Sequence, residues 1–370
     1  MPISMNRSVS RPVYALVLAA VLLTACGNQQ AVTRFAPTAA PIVTTVPEPT
    51  ETAQPTPTVT PAPQAVSGLT GLPAEEGSLP RPLAVMINNA PAARPQSGIS
   101  EADILFEVLA EGGITRLIGI FQSHTGVVKI GPIRSIRPYL LDIGESYGGI
   151  TVHAGGSPAA YAILQRQKKD DMDEIGRAGA YFWRDQERKA PHNLYSNADK
   201  LREGAAKLGF AESVEVPALQ FQGPGDVPPV GEAALDFKVS FLLKSYTVGY
   251  QYNAETRLYE RQVNGKPHLD LNNGNAVAAA NVIVMGADHK VLDDVGRLQV
   301  DTELGGKALL FQSGVAVSGK WSRSPGDIIR FVKEDGKEAK MVPGITHILI
   351  VPNSPPFSSH INIEPVPSST

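Results

Sequence analysis

Cysteine is almost missing: Cys26 is the only one among 370 residues. No disulfide can form within the chain, and a cysteine-built metal centre is excluded. An excess of one charge is missing too. The chain has 33 Lys and Arg against 36 Asp and Glu, a net charge of −3. That balance gives no support to nucleic-acid binding, which usually shows a strongly basic domain. Beyond Ala25 no apolar run approaches the ~20 residues that a membrane-spanning helix needs. There is no solenoid or propeller repeat, no His-Glu-x-x-His, no Walker-type loop and no Gly-x-Ser-x-Gly elbow. The sequence therefore calls for no metal and no cofactor.

The first positive signal lies at the N-terminus. Arg7 and Arg11 precede an apolar or small run from Val13 to Ala25, the pattern of a secretory signal over residues 1–25. Leu23-Thr24-Ala25-Cys26 resembles the bacterial lipobox, in which the cysteine is lipidated and becomes the mature N-terminus. The alternative is an ordinary signal peptide with an incidental cysteine, but a thiol with no partner is better explained by attachment. The expected partner is thus the membrane, reached through a lipid at Cys26, with the folded part on the extracytoplasmic face.

Residues 26–80 read as a tether. Eight prolines lie between Pro37 and Pro63 among Thr, Ala and Gln, with almost no apolar periodicity. Such a segment buries too little surface to offset its ordering entropy and is expected to be disordered. Fully extended it would reach on the order of 150 Å.

The remainder has a globular composition, 42% hydrophobic and 19% charged. Its pattern predicts an α+β fold: a larger mixed α/β-sheet domain over 81–222, a smaller mainly β domain over 229–353, and a frayed tail over 354–370. In the first part, Pro82–Ile87 reads as a buried strand, and Asp103–Leu109 and Ile114–Phe121 as a hairpin around Glu111-Gly112-Gly113. Helices are predicted over Pro138–Ser146, after Ser157-Pro158, and over Asn197–Leu208 ahead of Gly209. Gly223-Pro224-Gly225 and Pro228-Pro229 mark a boundary. Beyond it, seven apolar runs from Phe237 to Val351 read as strands, several separated by turns such as Asn264-Gly265 and Asp335-Gly336.

Three polar blocks stand out in the first part. Gly131–Pro138 carries Arg134 and Arg137 ahead of a helix. His153-Ala154-Gly155-Gly156-Ser157-Pro158 puts a histidine at a strand end and glycines at a helix start. Pro191-His192-Asn193-Leu194-Tyr195 precedes a capped helix. In this order, after a lipobox and tether, the blocks resemble the YerB-type bacterial lipoprotein family, a domain-of-unknown-function family. Tyr252-Asn253, Gly265-Lys266-Pro267-His268 and Pro343-Gly344-Ile345-Thr346 extend the resemblance over both domains. It implies an extracytoplasmic lipoprotein with a larger α/β domain followed by a smaller one, and it carries no established reaction.

The residues themselves offer more. Strand ends that lead into helix starts favour anions. Gly155 and Gly156 allow close backbone approach, Ser157 caps the helix, and Arg134 and Arg137 supply planar donors for carboxylate or phosphate. The competing reading makes the glycines a tight turn and pairs the arginines with Glu107 or Asp142. Glu107 and Arg116 lie on facing hairpin arms, and share a face if the hairpin closes on Gly112-Gly113; simple pairing is then expected. His153 and His192 are the candidates for proton transfer, with Asn193 beside them.

Two functions remain open. One is a binding or regulatory module for an anionic cell-envelope ligand, such as a cell-wall polymer, or for an envelope protein. The other is an envelope hydrolase or transferase using His153 or His192, with Arg134 and Arg137 holding the substrate. Convergence of Glu107, His153 and His192 on one open cleft would favour the enzyme.

Overall fold

The structure is a computed structural model that describes residues 66–74 and 79–365. The signal sequence, Cys26 and most of the tether lie outside the described residues. Helices and strands form an α+β fold built on one long sheet. Its strands are β1 (Leu83–Asn88), β2 (Ile104–Leu109), β3 (Thr115–Phe121), β4 (Ile150–His153) and β5 (Asp171–Asp173) from the first half. The second half begins with β6 (Asp236–Ser240), β7 (Thr247–Asn253) and β8 (Leu258–Val263), which belong to a smaller sheet. It returns to the long sheet with β9 (Asn281–Ala287), β10 (Gly306–Gln312), β11 (Val315–Ser322), β12 (Arg330–Lys333) and β13 (Thr346–Pro352). The last strand, β14 (Ile361–Ile363), closes the small sheet beside β6.

The order across the long sheet is β12-β11-β10-β9-β13-β2-β3-β1-β4-β5. The two halves therefore share one sheet. The seam is β13, which runs parallel to β9 on one side and to β2 on the other. β13, β9, β2 and β1 are buried at every position, as expected of strands covered on both faces. One hydrophobic core crosses the seam, running from Ala84, Phe106 and Ile118 through Ile348 to Ile283, Leu310 and Trp321. Helices α1 (Pro138–Ser146) and α2 (Pro158–Gln167) contribute Leu140, Ile143 and Leu164 to it. On the opposite face, α3 (Ala198–Lys207) packs Leu201 and Ala205 under β1 and β4. The small sheet packs Phe237, Val248 and Tyr259 under Val282, Phe311 and Leu349.

The helices start as the sequence predicts. Ser157 Oγ accepts from Ala160 N at 3.2 Å, with Pro158 in the first turn, and Asn197 Oδ1 accepts from Lys200 N at 2.8 Å.

Three expectations differ. Order begins before Arg81. Leu69 is fully buried in the core, Ser67 Oγ caps the turn around it, and Leu219 N donates to Gly68 O. One buried leucine in so short a stretch leaves no periodic trace. The segment after Asn353 is also structured: Ile361 and Ile363 pair with Val239 and Phe237, and His360 Nδ1 contacts Ser240 O at 2.7 Å. Its prolines concealed a short alternating strand. The strand β11, polar at Ser318, Gly319 and Lys320, was not anticipated at all.

Candidate functional site

Hairpin register decides the fate of Glu107. Leu109 pairs with Thr115, and Glu107 lies opposite Leu117, while Arg116 lies opposite Val108. The hairpin closes on the three residues Glu111-Gly112-Gly113, with Ala110 N donating to Ile114 O and both glycines at positive φ, 67° and 73°. That odd loop shifts the pairing by one from the expected register, which flips Arg116 to the opposite face. Glu107 and Arg116 do not pair.

Glu107 instead enters a buried polar network between the halves. Its Oε2 accepts from Arg261 Nη2 at 2.6 Å, and its Oε1 accepts from Thr115 Oγ1 and Tyr246 Oη at 2.6 Å each. Arg261, 1% exposed, also donates from Nη1 to Tyr250 Oη at 2.9 Å and from Nε to His268 Nδ1 at 3.1 Å. With Nδ1 accepting, His268 Nε2 is left to donate to Gln96 Oε1 at 2.7 Å. Tyr250 Oη meets His347 Nδ1 at 2.9 Å. Burial, reinforced by the Arg261 charge, pushes both His268 and His347 well below the usual histidine range, so both are neutral in the fold. The network is sealed and nearly saturated; its chemistry is structural.

On the other side of the hairpin lies a different arrangement. Arg116, Arg134 and Arg137 gather beside α1, and among the described residues the only ion pair any of them forms is Arg137 with Glu111. Arg116 donates from Nη1 to Ser135 O, and its buried Nε has no partner. Burial, followed by repulsion from Arg137 and Arg134, pushes Arg116 down to about 10. The buried Nε of Arg134 is likewise unpartnered. Burial and Arg137 lower its pKa as well. For Glu111, burial acts upward, but the Arg137 bond and charge outweigh it and hold the carboxyl below its ordinary value.

Arg134 opens onto a cleft of about 350 Å³. Gly155 and Gly156 line it at the start of α2, with Tyr161, Arg184 and Pro191 around the rim. The turn requires Gly155: its φ is 71°, and an added Cβ would stand 3.0 Å from Ile175 Cδ1. Gly155 N donates to Asp173 Oδ1 at 2.8 Å, and Tyr161 Oη donates to Asp173 Oδ2 at 2.7 Å. Asp173 thus fixes the cleft from beneath.

The remaining predicted residues fall around this cleft or outside it. Ser157 is occupied as the cap of α2. His153 is fully buried; its Nδ1 lies 2.9 Å from Gly155 O and its Nε2 3.4 Å from Asp171 Oδ2. His192, half-buried, meets Asn88 Nδ2 at 2.8 Å, and burial with the nearby Arg134 and Arg188 charges lowers its pKa. Asn193 accepts from Arg184 Nη1 at 3.2 Å, and Arg184 also pairs with Glu174 at 3.2 Å. Asp142 binds Arg323, so it pairs with neither Arg134 nor Arg137. Glu107, His153 and His192 are held by separate partners and do not share an open cleft. Sequence reasoning missed Arg261, whose alternating strand Tyr259–Gln262 gave no sign that its arginine points inward. It also left Arg184, Glu174 and Tyr161 outside the site. Among the described residues no His, Cys, Asp and Glu group could hold a metal ion.

A long sheet with helices on both faces and a small sheet beneath its second half define a two-part α+β family. The chain belongs to it: residues 69–211 match the N-terminal domain and residues 237–348 the C-terminal domain of a protein of unknown function, DUF3048. "Putative lipoprotein YerB" of Bacillus subtilis (strain 168) is 38% identical over 288 residues, covering 77% of this chain and 86% of that protein. The crystal structure of YerB from Bacillus subtilis matches with a TM-score of 0.74 at 36% identity, covering 82% of this chain and 100% of that one. A relative is thus named as a lipoprotein. Among the described residues no helix is long and apolar enough to cross a membrane.

Proposed function

We propose that the protein is a lipid-anchored binding module on the extracytoplasmic face, which holds an anionic cell-envelope group in the cleft between Arg134 and the Gly155-Gly156 turn. One observation carries the reading: three clustered arginines share a single carboxylate, and one of them reaches an open cleft with a buried donor unused. Buried charges normally find partners, so an uncompensated cluster at a cleft is best completed by a ligand. A carboxylate or phosphate suits the guanidinium fork. The enzyme reading loses its main support because the two histidines and Glu107 do not converge.

Arg134→Ala is expected to weaken retention on purified cell-wall material tenfold to a hundredfold, about 1.5–3 kcal/mol for one charge-assisted hydrogen bond. Thermal unfolding should stay nearly unchanged. Full retention in Arg134→Ala and Arg137→Ala would end the proposal, as would a loss that only tracks unfolding. The anchor is tested separately: Cys26→Ala should move the protein out of the detergent phase, and processed protein that still partitions there would exclude lipidation.

A further inference from the structure

A second surface, remote in sequence from the arginine cleft, has its own unmet chemistry. Lys307 and Lys320 face each other directly across β10 and β11. Like charges in that position repel, and neither ammonium forms an ion pair with any described residue. Lys333 nearby is paired with Asp335, and Glu334 on the rim pairs with neither lysine. The two lysines line a groove of about 690 Å³, within the usual size of a ligand site. Leu309 belongs to its floor, two residues from Lys307 and on the same face of β10. Phe357, Ile361 and Ile363 wall it from the small sheet and are only partly buried.

The wall is also a free sheet edge. β14 is the last strand of the small sheet. Glu364 N donates to Asp236 O at 2.9 Å, and antiparallel alternation then directs the N–H and C=O of Ile363 away from β6. The N–H of Ile361 is consumed by Ser358 O, whereas that of Ile363 has no partner among the described residues. An open edge beside an apolar groove is a template for another strand.

We infer that this groove receives an extended segment of a partner polypeptide, which adds to β14 and places an acidic side chain between Lys307 and Lys320. One occupant satisfies all three demands at once: backbone groups for the edge, alternate apolar side chains for the floor, and a carboxylate for the lysine pair. An anionic amphiphile would satisfy the second and third and leave the edge bare.

The probe is the labelled, acetylated peptide Thr-Val-Thr-Val-Thr-Glu-Thr, titrated against the full-length protein by fluorescence anisotropy. Saturable binding is expected, weakened about tenfold or more by Lys307→Glu or Lys320→Glu in protein whose thermal unfolding is unchanged. N-methylation of alternate peptide amides should abolish it, because the edge bonds are lost while side chains remain. Absent binding, equal binding of the methylated peptide, or indifference to both lysine reversals would overturn the inference. So would displacement of the peptide by dodecanoate at equal concentration, which would mark an amphiphile site. A dimer that forms through β14 and excludes the peptide would assign the edge to a second copy.

Discussion

Arg261 and Arg134 bring the same charge into the same fold and meet opposite surroundings. Arg261 is fully buried, yet its donors reach a carboxylate, two tyrosine hydroxyls and a neutral histidine. Arg134 sits beside two further arginines with one carboxylate among them, and keeps a buried N–H unused. Removing an arginine from the first setting strands Glu107 in the dark of the protein; removing one from the second relieves repulsion. Charge alone therefore does not mark a functional arginine. The ratio of donors to acceptors around it does.

The sharpest way to break this contrast is the same substitution in both places. Arg261→Met should cost about 3–5 kcal/mol in denaturant unfolding, the penalty for leaving a buried charge unpaired. If it costs less than about 1 kcal/mol, the network between the halves is not what holds them together. Acid should act on the same region next. His268 and His347 are held neutral in the fold, so below the ordinary histidine pKa of about 6.5 the unfolded chain binds more protons than the native one. Stability should then fall as pH drops from 6.5 toward 5, with a limiting slope of about 1.4 kcal/mol per pH unit for each histidine. A flat profile over that interval would show that neither stays neutral. The smallest effect belongs to the other region: Arg116→Met should shift stability by less than about 1 kcal/mol in either direction, since one bond to Ser135 O is lost and two repulsions vanish. A loss as large as that of Arg261→Met would erase the distinction.

Local signals were legible where one residue type forces one conformation. Ser157-Pro158 and Asn197 marked helix starts, Gly209 a helix end, and the apolar runs at Leu83, Val282 and His347 marked buried strands. Register was not legible, because moving a hairpin by one residue changes no residue in it yet turns Arg116 away from Glu107. Long-range insertion was not legible either. Nothing in Thr346–Pro352 says that it will lie between β9 and β2, and so the composition shift near Gly223, which falls between the two matched domains, gave no hint that one sheet runs through both. At the candidate site, Arg134, Gly155 and Gly156 were found from sequence because strand ends and helix starts gather ligands. Tyr161, Glu174 and Arg184 were not, since each reaches the cleft from an element with no special motif.

The position of β13 has a consequence for how the protein comes into being. Until Thr346–Pro352 is in place, β2 and β9 have no common neighbour, and each exposes an edge flanked by apolar side chains. The long sheet is completed by nearly the last structured residues, across a gap of more than two hundred positions from Ile104. Such non-local pairing makes for slow, late closure, after loop-closure entropy has been overcome. A chain interrupted after β12 would hold most of its sequence and none of its seam. In a folding chain of this kind, the last strand in sequence to join the long sheet works as a completion check.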